Sequence, residues 1–270
     1  MCEKSERPEH YRRTARPIVA MAVDHQDDWL VAPHTHRRSQ LVFAISGVMI
    51  VDTESGRWVV PPSRAVWIPA GIRHSNRMLG SVRFRTVYLA ASCARHLPKV
   101  CRVVAVTPLL RELILEAVRI GDRYTANSRG GRVRRLIPDE IKVMQSLPLE
   151  LPMPADARAR RVGQRILDSP DCELGLDSLA REANTSERQL ERLFLRETGM
   201  SIGHWRRHAR LQASLFLLAK DERILDAALA VGYGSPSAFA AALKKYFGLS
   251  PSLYFSGERT HVRRNHEVLP

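Results

Sequence analysis

Two stretches decide the fold. One is Leu-Ala-Arg-Glu-Ala-Asn-Thr-Ser-Glu-Arg-Gln-Leu-Glu-Arg-Leu-Phe, residues 179–194, and the other is its echo Ala-Val-Gly-Tyr-Gly-Ser-Pro-Ser-Ala-Phe, residues 230–239. Residues 174–200 and 223–249 match at an offset of 49. Leu176 falls on Leu225, Leu179 and Ala180 on Ala228 and Leu229, and Ala183 on Gly232. Further on, Ser186 falls on Ser235, Leu190 on Phe239, Phe194 on Leu243 and Gly199 on Gly248. Each copy reads as a short helix, a tight turn, a Ser that can cap the next helix, a second helix with apolar residues four apart, and a Gly stop. The turns are Asn184-Thr185 and Gly232-Tyr233-Gly234. Each copy is a helix-turn-helix candidate, at about 176–197 and 224–247, and the stretch from Ser201 to Leu218 reads as a long helix joining them.

The faces turned away from these apolar rows suit DNA. In the first copy Leu190, Leu193 and Phe194 face inward, which leaves Glu187, Arg188, Glu191 and Arg192 outward. A helix face with two arginines can enter the major groove, where Arg pairs bidentately with guanine. In the second copy Phe239, Leu243 and Phe247 face inward. The outward residues are Pro236, Ser237, Ala240 and Ala241, with Ser235 at the cap and Lys244 and Lys245 a turn later. That small, nearly apolar face permits close backbone approach, thymine-methyl contact and phosphate contact, but not strong base readout. A rigid connector would let both helices meet major-groove faces about 34 Å apart.

Working outward, Pro148-Leu-Glu-Leu-Pro152-Met-Pro154 has three prolines in seven residues and reads as a stiff, non-helical connector over 148–156. After it, residues 157–256 read as an all-helical bundle, followed by a polar tail over 257–270. Before it, residues 107–147 carry a helical period. Leu109, Leu110, Leu113, Ile114, Ala117 and Val118 predict a helix over 107–126, and Asn127 to Gly131 breaks it. A second helix over 132–147 follows, with Pro138 in its first turn. Residues 18–106 read as short strands, among them Leu41–Ile45, Val48–Asp52, Arg57–Val60, Ala65–Ile68 and Arg83–Leu89. They are cut by turn residues, so a small β-barrel or sandwich is expected after a loose tail of residues 1–17.

Composition bounds the class. The 270 residues suit two modest domains, and 44% hydrophobic with 26% charged is an ordinary globular balance that excludes wholesale disorder. The most apolar run, Leu41 to Val51, is 11 residues long, against the roughly 20 that a spanning helix needs. Met1–Pro17 mixes Glu and Arg without an apolar centre and does not read as a secretory signal, so a cytoplasmic protein with no membrane partner is expected. The net charge of +14 favours polyanionic partners. Only +4 of it lies in residues 155–270 (18 basic, 14 acidic), so motifs rather than charge must locate a nucleic-acid surface. Cys2, Cys93, Cys101 and Cys172 show neither C-x-x-C spacing nor interleaved His, and reduced, inert thiols are expected.

Residues 174–255 resemble the DNA-binding domain of the AraC/XylS family. The resemblance rests on the two stretches quoted first, on Glu-Thr-Gly-Met-Ser (197–201), and on Tyr-Phe-Gly-Leu-Ser-Pro-Ser-Leu-Tyr (246–254). With the helix from Ala157 to Leu167 it spans about 100 residues. It implies a sequence-specific transcription regulator that binds operator or promoter DNA, as an activator or a repressor. Ala241, Leu243 and Phe255 depart from the family pattern, which weakens the second reader but not the fold. The resemblance also implies a homodimer paired through the helices of 107–147, with packing against the protein's own barrel as the alternative, and RNA polymerase as a partner of an activator.

The N-terminal half carries His-Thr-His-Arg-Arg-Ser-Gln (34–40) and Pro-Ala-Gly-Ile-Arg-His (69–74). On a regular strand His34, His36 and Gln40 share one side, and His74 follows a Pro-x-Gly turn. Three imidazoles and an amide oxygen converging in a small barrel suit a divalent metal. The two stretches are similar to the paired cupin motifs, with Gln40 in place of the usual carboxylate, and the chain as a whole resembles AraC/XylS regulators with an N-terminal cupin sensor. Three readings stay open: a metal that helps sense a ligand, polar groups of a metal-free effector pocket, or hydrogen-bonded remnants. Trp29, Phe43, Trp58, Trp67 and Tyr88 are expected mainly in the core. The expectation is thus a two-domain α+β protein: a cupin-like β-barrel with a helical segment, then a bundle with two helix-turn-helices, under the control of a small effector. The rivals are a metal-dependent cupin oxygenase or isomerase carrying a DNA-binding tail, and a non-specific architectural DNA protein.

Overall fold

The computed structural model of the chain describes residues 14–25, 28–62, 64–144, 146–147, 150–171, 174–220 and 222–247. Compactness divides the chain into two units, Met1–Thr53 with Val60–Pro148, and Glu54–Val59 with Leu149–Pro270. Among the described residues no helix is long and apolar enough to cross a membrane. Cys93 is a free thiol. Cys2, Cys172, Gly248, Phe255, residues 1–13 of the N-terminal tail and the whole C-terminal tail lie outside the described residues.

In chain order the first half runs β1 (Ile18–His25), β2 (Leu30–His34), β3 (Ser39–Ala44), β4 (Val48–Thr53), β5 (Gly56–Val60), β6 (Arg64–Ile68), β7 (His74–Leu79) and β8 (Val82–Leu89). Then come α1 (Ala91–Ala94), β9 (Arg102–Ala105), α2 (Pro108–Ile120), α3 (Arg129–Val143) and β10 (Ser146–Leu147). An antiparallel sheet has the order β1-β8-β3-β6-β9-β10, and β7 pairs with both β4 and β2 in a second sheet. The expected cupin-like barrel is therefore realised as two sheets rather than a closed cylinder.

The six-stranded sheet is covered on one face by α2 and α3. Leu41, Phe43, Ala65, Trp67, Val87 and Leu89 form one core with Leu110, Leu113, Ile114, Ala117, Ile137 and Ile141. All six residues of β3 are buried, so the alternation expected of a half-solvated strand is lost. The apolar stripes of both helices are thus spent on the protein's own sheet, although Leu109, Leu136 and Val143 stay exposed. Phe43, Trp58, Trp67 and Tyr88 are buried, but Trp29 is 54% exposed.

Two helix boundaries differ from the sequence expectation. Thr107 caps α2 by accepting from Leu110 N, and the helix stops at Gly121 (φ 72°), short of residue 126. Asn127–Gly131 does not break a helix. Ser128 caps α3 by accepting from Gly131 N, and Gly130 and Gly131 form its first turn. A Cβ on Gly131 would sit 2.3 Å from the carbonyl oxygens of Thr125 and Ala126, so the close approach of this turn requires glycine. Pro138 therefore lies in the helix interior rather than its first turn, where a proline costs about 3 kcal/mol of helix stability. Tertiary contacts oppose that loss. The buried Arg134 donates to the carbonyls of Gly130, Ala117 and Gly121 and stacks 4.2 Å over the Tyr124 ring. Tyr124 in turn donates to Ile18 O at 2.7 Å and ties the hairpin to β1.

The second unit holds β11 (Glu150–Pro152), α4 (Ala157–Asp168), α5 (Leu176–Glu182), α6 (Glu187–Thr198), α7 (Ile202–Ala219), α8 (Ile224–Ala230) and α9 (Pro236–Phe247). The proline connector is more than a spacer. Its residues 150–152 form β11, which pairs antiparallel with β5, Leu151 opposite Arg57. Leu151 is fully buried in the core that α4, α5, α6 and Trp205 share. Trp205 Nε1 donates to Pro152 O at 2.6 Å.

The repeat is present, with a corrected register. The first helices of the two copies correspond at an offset of 48, not 49. Leu179, Ala180 and Ala183 are buried at the places of Ala227, Ala228 and Val231, whereas Leu229 is 55% exposed. The positive-φ residues Asn184 and Gly232 also lie 48 apart. The capping serines, Ser186 and Ser235, lie 49 apart. The second turn has one extra residue before its cap, and Gly234 fills that place.

Candidate nucleic-acid interface and histidine cluster

In α6, Ser186 Oγ accepts from Gln189 N at 3.2 Å and Gly199 ends the helix in the left-handed region. Leu190, Leu193 and Phe194 are buried, and Glu187, Arg188 and Arg192 are exposed. Arg192 donates to Gln189 Oε1 at 2.6 Å, which holds it along the helix face. Glu191, expected on that face, is half-buried, and its carboxylate accepts from Ile202 N at 3.3 Å. It therefore supports the start of α7. Leu195, 60% exposed, stands one turn beyond Arg192.

In α9, Ser235 Oγ accepts from Ala238 N at 3.3 Å and lies 3.2 Å from Ser237 Oγ. Phe239, Leu243 and Phe247 are buried, Ser237, Ala241, Lys244 and Lys245 are exposed, and Ala240 is half-buried. The outward face is small at one end and cationic at the other, as the sequence predicts. Between the readers α7 runs for 18 residues, about 27 Å at helical rise.

Two supports of these helices escaped the sequence reading. Glu197 accepts from Ala155 N and Asp156 N at 2.8 and 2.9 Å. These backbone donors, with Arg196 beside them, hold its carboxyl below the usual range. Asp156 caps α4 through Arg158 N, and the Arg158 guanidinium holds it down to about 2. His208, buried on α7, packs against Tyr246 and Phe247 of α9. Burial, helped by neighbouring His204, pulls it down to about 4. The Asp before a helix and the i, i+4 pair His204/His208 were the available signals.

The histidines converge by a different route from the one expected. β2 ends at His34, whose register partner on β7 is His74. His36 lies in the turn that crosses between sheets, and Gln40 lies on β3. No single strand carries all three, because the backbone leaves β2 before reaching His36. Gly71, at φ +84°, donates its N–H to His36 O at 3.0 Å and ties the Pro-x-Gly turn to that crossing. Ring centroids are 4.4 Å apart for His34–His74 and 5.0 Å for His36–His74. One ring nitrogen from each histidine lies within 4.8 Å of the others. The Nδ1 atoms face main-chain carbonyls: His34 to Ala32 O at 2.9 Å, His36 to Arg38 O at 2.6 Å and His74 to Ile72 O at 3.0 Å. His36 Nε2 lies 2.9 Å from Gln40 Oε1. Gln40 Nε2 donates to Thr86 Oγ1 at 2.9 Å, and Thr86 Oγ1 donates to Leu41 O at 3.0 Å. Thr86, and Tyr88 edge-on to His36, are site residues the sequence reading did not assign to it. The chemistry of this donor set, three imidazoles and an amide oxygen, fits a first-row transition metal.

Comparison with known proteins agrees with both halves. A family described as AraC-like ligand binding domain matches residues 17–135, and one described as helix-turn-helix domain matches residues 179–257. The chain is 32% identical over 242 residues to the HTH-type transcriptional regulator NimR of Escherichia coli, across 88% of this chain and 87% of that one. It is 32% identical over 123 residues to the HTH-type transcriptional regulator RipA of Corynebacterium glutamicum, across 46% and 37%. It is 35% identical over 100 residues to the HTH-type transcriptional regulator MtrA of Neisseria gonorrhoeae, across 37% and 33%. The last two similarities cover only part of each chain, but the first runs through both units. Two capped helix-turn-helices on one connecting helix, behind a two-sheet ligand-binding domain, therefore have a family: this chain is an AraC/XylS-type transcription regulator that binds DNA and a small effector.

Proposed function

We propose that α6 and α9 enter successive major-groove faces of one duplex and divide the work between them. Arg188 and Arg192 read base edges. Ser235, Ser237, Ala240 and Ala241 allow close approach, and Lys244 and Lys245 hold phosphates. Glu187 lies at the rim of the first face, and Glu191 serves that face from behind by holding the start of α7. The observation that carries this reading is the capped helix α6, which displays Arg188 and Arg192 in solvent while its apolar row is fully buried. Among the described residues Arg188 has no carboxylate within ion-pair distance, so its guanidinium is available to a base.

Effector binding in the N-terminal unit biases this engagement. That requires different effector affinities in the DNA-competent and DNA-incompetent states. The regulator works in the cytoplasm as a homodimer through the α2–α3 hairpin, where Leu109, Leu136 and Val143 are exposed. Where it activates, it does so by contact with RNA polymerase.

The test is a genome-wide map of bound DNA followed by footprinting of one bound promoter. The expected site has two elements about one helical turn, 10–10.5 bp, apart. Equal affinity for promoter and random duplex at fixed salt would overturn the reading.

A further inference from the structure

We propose that the chain binds a small organic carboxylate in a cleft on the helix-covered face of the six-stranded sheet, on the opposite side of β3 from the histidine cluster. Its anchors are Arg95, Lys99, Ser39 and Ser92.

The strand sets the two sides. Neighbours along β3 point to opposite faces of the sheet. Gln40 meets His36 and Thr86 on one face. Ser39 shares the other with Leu41 and Phe43, which pack in the core under α2 and α3. Its register partner Leu89 belongs to that same core. At the margin of this core, beside α1, lies a cleft of about 400 Å³, inside the range of about 300–1,000 Å³ usual for small-molecule sites.

The walls are apolar. Pro69 and Ile72 from the turn before β7 form one side, and Ala94 and Pro98 from the segment after β8 form the other. Among them stand two cations and two hydroxyls, and no carboxylate. Ser39, 5% exposed, accepts from Ala70 N at 3.2 Å, and its own proton has no acceptor among the described residues. A buried donor left in this way favours a ligand that brings an acceptor. Ser92 Oγ has only the Cys93 sulfur, at 4.0 Å. Among the described residues neither Arg95 nor Lys99 has a carboxylate within ion-pair distance.

The segment that carries both cations is fixed in advance. Leu97, between them, is buried in the core, and its N–H donates to Ala94 O at 3.1 Å. Trp67 Nε1 donates to Pro98 O at 2.8 Å. A site ordered before binding loses less freedom when the ligand arrives.

These groups name the ligand. The planar guanidinium of Arg95 matches both oxygens of a carboxylate, Lys99 adds a second positive charge, and the two hydroxyls can donate to the same oxygens. The prolines, Ile72 and Ala94 cover a compact apolar body, aromatic or short aliphatic. Inorganic phosphate would leave those walls in water, and a neutral amide would forfeit both cations.

The experiment titrates the full chain calorimetrically with benzoate and hexanoate, and with benzamide and inorganic phosphate for contrast. The expected result for a carboxylate is one molecule per chain, a Kd of about 1 mM or below and a raised thermal midpoint. Benzamide and phosphate should bind at least about tenfold more weakly. Arg95 and Lys99 are exposed, so their variants should fold. Arg95→Ala should weaken benzoate about tenfold and Lys99→Ala about threefold, by loss of one charge-assisted contact each. Arg123→Ala, which removes the same charge from outside the cleft, should bind as the unaltered chain does. No saturable binding of either carboxylate up to about 10 mM overturns the proposal. So does phosphate that binds as tightly as benzoate, an unchanged affinity in both cleft variants, or an equal loss in Arg123→Ala.

Discussion

The two reader helices are one scaffold with two surfaces. α6 and α9 each have 12 residues. Each starts at a Ser whose hydroxyl accepts from the N–H three residues on, and each buries three apolar side chains. Outside, α6 carries Arg188 and Arg192 where α9, at the same places relative to its capping Ser, carries Ser237 and Ala241. Behind, α6 is braced by charge: Glu191 holds the start of α7 and Glu197 the start of α4. α9 is backed by aromatic rings and the neutral His208. The comparison teaches that capping and burial make the helix, while the outward residues, under no packing constraint, are left to carry whatever the helix is for.

Four experiments break or sharpen that comparison. The largest effects are expected in the shared scaffold. Phe194→Ala and Phe239→Ala should each destabilise the chain by about 3–5 kcal/mol, measured by denaturant unfolding. A loss below 1 kcal/mol at either site would mean that the two copies are not built alike. Next comes the difference behind the readers. His208 titrates near 6.5 when unfolded and about 4 when folded, because burial disfavours its charged form. The unfolded state therefore binds more protons below pH 6.5. Stability is full above that pH and falls as pH drops from 6.5 toward 4, by on the order of 3 kcal/mol. His208→Leu should flatten this limb of the pH profile, and an unchanged slope would remove His208 from the account.

Smaller effects are expected on the outward faces. Arg192→Ala should weaken operator binding by about 1–3 kcal/mol and relax preference at one base pair. Lys244→Ala should weaken all sequences alike and reduce the salt slope by about 1. If the two variants gave the same pattern in competition binding, the proposed division of labour would be wrong. Smallest of all, Ser186→Ala and Ser235→Ala should each cost about 0.5–2 kcal/mol of stability. Equal losses in thermal unfolding would sharpen the claim that the caps are equivalent.

Much of this architecture is legible in the residues, for identifiable reasons. Caps, glycine stops and apolar rows are local, so the helices of the second unit appear in the sequence almost to the residue. The register of the repeat is ambiguous in the sequence because Ala228-Leu229 resembles Leu179-Ala180 chemically. Only the turn geometry at Asn184 and Gly232 shows that Ala227 and Ala228 take the buried places. Pro138 misled because its position in the helix depends on where Ser128 caps it, and the rescue comes from the distant Tyr124 and Arg134. The histidines were visible as residue types, but not the crossing between sheets that brings them together, since no local pattern marks where a chain changes sheet. Trp29 has a large ring, yet burial is decided by neighbours, and this ring, stacked on His25, stays half-exposed.

The pairing of β11 with β5 has a practical consequence for anyone who dissects this protein. The helical half is not contiguous in the chain, because the six residues Glu54–Val59 are counted with it. A fragment begun at Leu149 would keep every DNA-facing helix but leave the backbone edge of β11 bare, and bare edges recruit strands from other molecules. Such a truncate should self-associate on purification, and grafting a strand back onto residues 150–152 should cure it.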